Sequence, residues 1–353
     1  MHKIRVAING FGRIGRAAFK IALEKPDLEI VGINDLTDPA VLAHLLKYDS
    51  VYGIYPKSVG SDLNHKKVNA NVSSVGDVIV EGKKFPIFAE KDPALLPWKD
   101  LNVDVVIEST GRFTDSEKAG AHLKAGAKKV IISAPAKDEG VTPTFIIGVN
   151  HDKYQNQQII SNASCTTNCI TPVIAVLHSK FGIKKMLMST IHSYTAEQNL
   201  VDGPPPGGKS NDLRRARGAA MNIIPTSTGA TIATTEAIPE LKGFLGGAAY
   251  RVPTPCGSLS DFTLLLNKKT TVEEINQAFI EASKHPLWKD VLEVTRDPIV
   301  STDVIGNPHS SIIDLSLTQV VDGDLVKVVA WYDNEFGYSN RLVEQTVLVG
   351  KSS

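Results

Sequence analysis

Ile4-Arg5-Val6-Ala7-Ile8-Asn9-Gly10-Phe11-Gly12-Arg13-Ile14-Gly15 is the stretch on which the reading of this chain turns. Ile4 to Ile8 is a short apolar, β-branched run of the kind that forms a buried strand. Gly10, Gly12 and Gly15 then follow in GxGxxG spacing, and Arg13 to Leu23 has a helical pattern. Glycines at these places permit a tight turn, let the backbone approach a pyrophosphate, and let the helix pack on the strand. The helix start adds unpaired N–H groups and a favourable dipole for the anion. Asp35 comes 20 residues after Gly15, at the end of the next predicted strand, Ile30 to Ile33. A carboxylate there accepts hydrogen bonds from an adenosine ribose and repels a 2′-phosphate, which favours NAD over NADP. The bland alternative is an unrelated glycine turn with Asp35 as a strand-end cap.

Working outward, Val103 to Ile107, Val130 to Ile132 and Phe145 to Val149 also read as buried strands, and Ser116 to Ala125 as a helix. Strand–helix alternation predicts an α/β first half with a doubly wound parallel sheet of the Rossmann kind. In the second half, Met186 to Ile191, Ala248 to Val252, Asp261 to Leu266, Ser311 to Leu317 and Leu325 to Trp331 read as longer strands. Asp322-Gly323-Asp324 suits a hairpin between the last two. Helices are expected after Cys165, after Thr271 and from near Asn334. The expectation is an α+β catalytic domain with a large antiparallel sheet. The domains are set at 1–160 and 161–334, with a C-terminal helix over 335–353 packing back on the first. Asp202 to Asn211, Asp-Gly-Pro-Pro-Pro-Gly-Gly-Lys-Ser-Asn, excludes regular structure. It is open to two readings, a surface linker or a functional or interface loop.

The 353 residues carry 38 Lys plus Arg and 38 Asp plus Glu, so the chain is formally neutral. A general nucleic-acid binder needs a basic excess and is disfavoured. The cysteines Cys165, Cys169 and Cys256 are odd in number and sparse, which points to a reducing compartment. No apolar run reads as a signal peptide or a membrane span, and Lys351-Ser352-Ser353 matches no C-terminal address. The expected location is cytoplasmic, with no membrane partner.

A second signal is Ser161-Asn162-Ala163-Ser164-Cys165-Thr166-Thr167-Asn168-Cys169. A strand ends near Ser161, and Ile170, Val173, Ile174, Val176 and Leu177 mark a helix beginning near Cys165. A thiol at a helix start has its thiolate stabilised by the dipole. Cys169 lies four residues on, but two thiols lack the other ligands of a metal site, so no metal is expected. Burial is the simpler fate for Cys169 and Cys256. His192 ends a predicted strand 27 residues after Cys165 and suits a thiolate–imidazolium pair. The chain has nine histidines, and spacing alone does not single this one out.

At these residues the sequence resembles the glyceraldehyde-3-phosphate dehydrogenases. The likeness spans nearly the whole chain, through Ala7 to Arg16, Asn34-Asp35-Leu36, Glu108 to Phe113, Ser133-Ala134-Pro135, Ala163 to Cys169, His192 to Thr195, Thr228-Gly229, Arg251 to Thr254 and Trp331 to Glu335. The resemblance implies Cys165 as nucleophile and His192 as its base. It implies an NAD site of Gly10, Gly12, Arg13, Ile14, Gly15, Asp35, Lys91, Ser133 and Asn334. Ser164, Thr166, Thr195, Arg215, Thr228, Gly229 and Arg251 would hold glyceraldehyde 3-phosphate and inorganic phosphate. A homotetramer is implied, with the segment from Asp202 to Arg217 reaching a neighbouring subunit.

For Arg215 a solvated surface cluster with Arg214 and Arg217 is the competing reading. The chain departs from the family pattern at Lys91, where Arg is common, and at Glu197, where Asp or Thr is common. It departs also in the prolines and glycines of the 202–211 loop and in Pro255-Cys256-Gly257-Ser258. Rival functions are an erythrose-4-phosphate dehydrogenase on the same scaffold and a non-catalytic NAD-binding regulator. Thr226 to Ala230 and Arg251 look more like the triose enzyme, and a regulator would be expected to lack Cys165 or His192.

Overall fold

The computed structural model describes residues 3–69, 72–205 and 212–352. The chain divides into two compact units. The first comprises Met1–Phe145, Lys153–Ala163 and Ser339–Ser353, and the second Ile146–Asp152 and Ser164–Tyr338.

In chain order the first unit holds β1 (Ile4–Asn9), α1 (Arg13–Ala22), β2 (Leu28–Asn34), α2 (Pro39–Lys47), β3 (Tyr48–Asp49), β4 (Gly53–Ile54), β5 (Val59–Asp62), β6 (Gly76–Val80), β7 (Lys83–Phe88), β8 (Val105–Glu108), α3 (Ser116–Lys124), β9 (Lys129–Ile132) and β10 (Ile159–Ser161). Its main sheet runs β10-β9-β8-β1-β2-β7-β6-β5. The strands from β10 to β7 are parallel, and β6 and β5 add an antiparallel edge. Val6, Ile8, Ile33, Val106 and Ile131 are fully or nearly fully buried, as strands covered on both faces require. The winding reverses between β1 and β8, and a crevice opens at their carboxyl ends. Residues 339–350 of the last helix belong to this unit, where Lys351 pairs with Asp27 at 2.9 Å.

The second unit holds α4 (Cys165–Phe181), β11 (Ile183–Ser193), β12 (Ile224–Thr226), α5 (Ala230–Ala237), β13 (Leu245–Val252), β14 (Ser258–Leu266), α6 (Val272–Lys284), β15 (Leu292–Thr295), β16 (Ser311–Asp314), β17 (Gln319–Val321), β18 (Leu325–Tyr332) and the start of α7 (Phe336–Gly350). The sheet order is β12-β13-β11-β14-β18-β16-β15, with β17 also on β18. It is mixed, mostly antiparallel as expected, with β11–β13 and β15–β16 parallel. Thr271 and Glu274 form a reciprocal capping box at the start of α6.

Two expected strands differ. Phe145 to Val149 is a turn, because the Asn150 side chain accepts from Ile146 N–H at 2.7 Å and Gly148 takes φ +85. Phe145 and Ile146 are buried there without a ladder. Ser311 to Leu317 ends at Asp314, whose carboxylate accepts from Ser316 N–H at 3.1 Å and stops the strand. The hairpin through Asp322 (φ 48) and Gly323 (φ 81) therefore joins β17 to β18. Residues 206–211 of the proline- and glycine-rich loop lie outside the described residues.

Candidate active site

Cys165 is the first residue of α4, capped by Ser164, whose hydroxyl accepts from Thr167 N–H at 3.0 Å. Ala163, just before the cap, is buried in the left-handed region at φ 54. For alanine that conformation costs about 1 kcal/mol, so the entry to the nucleophile helix is held by its surroundings.

His192 lies at the carboxyl end of β11, and its Nε2 is 3.4 Å from Cys165 Sγ. Its Nδ1 lies 2.7 Å from the Ser193 carbonyl oxygen. A carbonyl only accepts, so Nδ1 carries the proton and the Nε2 lone pair faces sulfur. In the parallel β11–β13 register Arg251 sits beside His192. Its Nη1 donates to the Ser193 carbonyl at 3.1 Å and to Thr195 Oγ1 at 3.3 Å. That nitrogen also lies 3.1 Å from His192 Nδ1.

Electrostatically, burial works against charge on both members of the pair. Burial, seconded by the Arg251 cation, pulls the His192 imidazole down to about 3. Burial pushes the Cys165 thiol up, against Arg251 and the donors of Thr166 and the helix start. Burial opposes both charges of the thiolate–imidazolium pair expected from sequence, and its imidazolium would face Arg251, while Arg251 favours the thiolate. Tyr332, which no spacing argument singled out, packs edge-on to the His192 ring at 6.0 Å. Its hydroxyl lies 3.0 Å from Thr166 Oγ1 and 2.8 Å from Thr190 Oγ1. The other two thiols are buried; burial pushes Cys169 up to about 12, and Cys256 Sγ lies 3.2 Å from Asp333 Oδ1.

Arg215 is partly exposed on the turn before β12. Its Nε donates to Thr226 Oγ1 at 2.9 Å and its Nη1 to Glu197 Oε1 at 2.8 Å. Thr228 and Gly229 lead into α5, which starts without a side-chain cap. Ser164 spends its hydroxyl on the α4 cap. Asn334 accepts through Oδ1 from Gly257 N–H and Ser258 Oγ, leaving its NH₂ as the donating end.

In the first unit a cleft of about 490 Å³ opens at the carboxyl ends of β1, β2 and β8. Gly10, Gly12, Asp35 and Lys91 line it, together with Asn9, Asn34, Ser109 and Thr110. A Cβ on Gly15 would collide with the Gly10 carbonyl, whereas one on Gly12 would meet nothing within 4 Å. Gly15 therefore serves packing, and Gly12 keeps the uncapped start of α1 open to a pyrophosphate. Asp35 accepts from Phe11 N–H at 2.8 Å, which fixes its carboxylate at the rim with lone pairs to spare. These features fit a dinucleotide.

The Arg13 side chain pairs with Asp49 at 3.1 Å and covers the Tyr52 ring. Ile14 is half-buried on α1, and Ser133 donates through N–H to the Glu108 carbonyl. The cleft floor was not foreseen. Asn34 Nδ2 donates to Asn9 Oδ1 at 2.7 Å, and buried Glu108 accepts from Thr110 N–H at 2.9 Å. Trp98 Nε1–H donates to His122 Nδ1 at 3.0 Å, which orients His122 Nε2–H toward Glu108 at 3.0 Å. Among the described residues no group of acidic, His and Cys side chains could hold a metal ion, and no helix is long and apolar enough to cross a membrane.

A doubly wound unit with this cleft, and a second unit with a thiol facing an imidazole lone pair, define a nicotinamide-dependent oxidoreductase. The family model for the glyceraldehyde 3-phosphate dehydrogenase NAD-binding domain matches residues 4–116, and that for its C-terminal domain matches 164–334. The chain is 53% identical over 356 residues to the glyceraldehyde-3-phosphate dehydrogenase of Mycolicibacterium smegmatis, covering 99% of each chain. It is 51% identical to glyceraldehyde-3-phosphate dehydrogenase 1 of Bacillus subtilis, covering 99% of this chain and 98% of that one. The chain belongs to the glyceraldehyde-3-phosphate dehydrogenase family, and its cofactor is NAD.

Proposed function

We propose that the protein oxidises and phosphorylates D-glyceraldehyde 3-phosphate to 1,3-bisphosphoglycerate through a thioester on Cys165. The observation that carries this is the His192 Nε2 lone pair 3.4 Å from Cys165 Sγ, with Arg251 beside it. Sγ adds to the aldehyde carbon while His192 takes the thiol proton and passes it to the new oxygen, giving a thiohemiacetal. His192 then takes the hydroxyl proton as that carbon is oxidised to the thioester. NAD, when bound, supplies the hydride acceptor. An oxygen of inorganic phosphate attacks the thioester carbon, the C–S bond breaks, and Sγ takes its proton back from His192. The imidazolium formed in each cycle faces Arg251, which favours its prompt return of the proton.

Cys165 N–H at the helix start serves the oxyanion of the second addition. Thr195, Arg215, Thr228, Gly229 and Arg251, with Ser164 and Thr166, hold the two phosphates. Gly10, Gly12, Asp35, Lys91, Ser133 and Asn334 serve NAD, with Arg13 and Ile14 acting through their backbone. A cytoplasmic homotetramer completes the reading.

The test is NADH formation from the triose phosphate with and without inorganic phosphate. Steady turnover should require phosphate, and without it only a burst of about one NADH per Cys165 should form. Equal steady rates in both would overturn the thioester–phosphorolysis route.

A further inference from the structure

We infer that Glu197 is an internal competitor of phosphate at Arg215 and so sets the affinity of the site for phosphate. The inference rests on the reading that Arg215 takes a phosphate group. Arg215 is 28% and Glu197 45% exposed, and they meet at 2.8 Å. Asp212 stands a further 3.7 Å from Arg215 Nε and accepts from the Thr226 hydroxyl. Arg215 is therefore compensated by carboxylates before any ligand arrives. Its Nη2 makes no hydrogen bond among the described residues, whereas Nη1 is taken by Glu197.

A guanidinium grips phosphate best with two N–H groups side by side, and that grip needs Nη1. Phosphate gains the full fork only by displacing the Glu197 carboxylate, which is exposed enough to swing into solvent. Glu197 also acts electrostatically on Arg251, and Arg251 on Cys165, so its charge reaches the reacting group. A carboxylate within this cluster opposes a dianion twice, by occupying the donor and by repulsion. Arg251 differs: its Nη1 donates to the Ser193 carbonyl and to Thr195 Oγ1, and no carboxylate pairs with it among the described residues.

The experiment compares Glu197→Gln, Glu197→Asp and Arg215→Leu with the unaltered holoenzyme. Three Michaelis constants are measured: for inorganic phosphate, for glyceraldehyde 3-phosphate, and for glyceraldehyde, which lacks phosphate. Glu197→Gln keeps the shape and removes the charge. It should lower one of the first two about three- to fivefold, the scale of one partly exposed ion pair, and leave the glyceraldehyde constant unchanged. Which one falls tells whether the site takes inorganic phosphate or the phosphate of the substrate. Glu197→Asp, which keeps the charge, should stay near the unaltered value. Protection of Cys165 from iodoacetamide by inorganic phosphate gives a binding readout without turnover. Unchanged or raised constants in Glu197→Gln, with Arg215→Leu still weakening phosphate, would overturn the competitor role alone. If Arg215→Leu also left both phosphate constants unaltered, the assignment of Arg215 itself would fall.

Discussion

At the scale of single residues, the chemistry depends on where His192 holds its one proton. The Ser193 carbonyl keeps that proton on Nδ1, and burial with Arg251 keeps a second one off. His192→Asn should keep NAD binding and lose roughly 10²–10⁴ in rate. The same residue has a stability signature. Its folded value of about 3 lies below the ordinary 6.5. Between those values the unfolded chain binds a proton that the native chain does not, so stability falls as pH drops through that window and is full above it. Melting temperature measured from pH 7 to pH 4 should therefore fall more gently in His192→Asn than in the unaltered protein. Coincident slopes would mean that the native imidazole is not held neutral.

Elements act by fixing which backbone faces a ligand. The strand–turn–helix from β1 to α1 separates two glycines that a motif reading treats alike. A Cβ on Gly15 meets the Gly10 carbonyl and, at 3.2 Å, Ser109 Oγ, whereas Gly12 faces open space. Gly15→Ala should lose about 1–3 kcal/mol of stability, the usual cost of overpacking. Gly12→Ala should melt like the unaltered protein yet bind NAD about tenfold more weakly, since its methyl group enters the cleft. Calorimetry for stability and fluorescence titration for NAD separate the two. Comparable stability losses in both variants would show that Gly12 too is there for packing.

The whole molecule exposes apolar side chains that a single chain leaves in water. Leu200, Val201, Leu213, Met221 and Ile223 are each at least 70% exposed along one stretch of the second unit, and Leu187 is 71% exposed on β11. Covering such side chains favours self-association. Sedimentation equilibrium should give four times the 38.1 kDa chain mass, and Met221→Asp should shift it toward smaller species. A monomer at micromolar concentration would remove the tetramer.

Much of this was legible in the chain itself, because the signals are local. Glycine spacing, β-branched runs and the carboxylate at Asp35 fix a strand, a turn and a helix within some thirty residues. The small residues before Cys165 and the apolar period after it mark the helix start. Apolar runs misled where burial came without a ladder, as at Phe145 and Ile146, or where a side chain ended the strand, as at Asp314. What the tertiary structure alone decided is non-local. Arg251 reaches His192 through the register of two strands whose paired residues lie 59 positions apart. The Ser193 carbonyl that sets the tautomer has no side-chain signature, and the Glu197–Arg215 pair joins residues 18 apart. Local composition fixes elements through backbone sterics and burial period. Proton positions and ion pairs follow from which elements meet, and only the folded chain determines that.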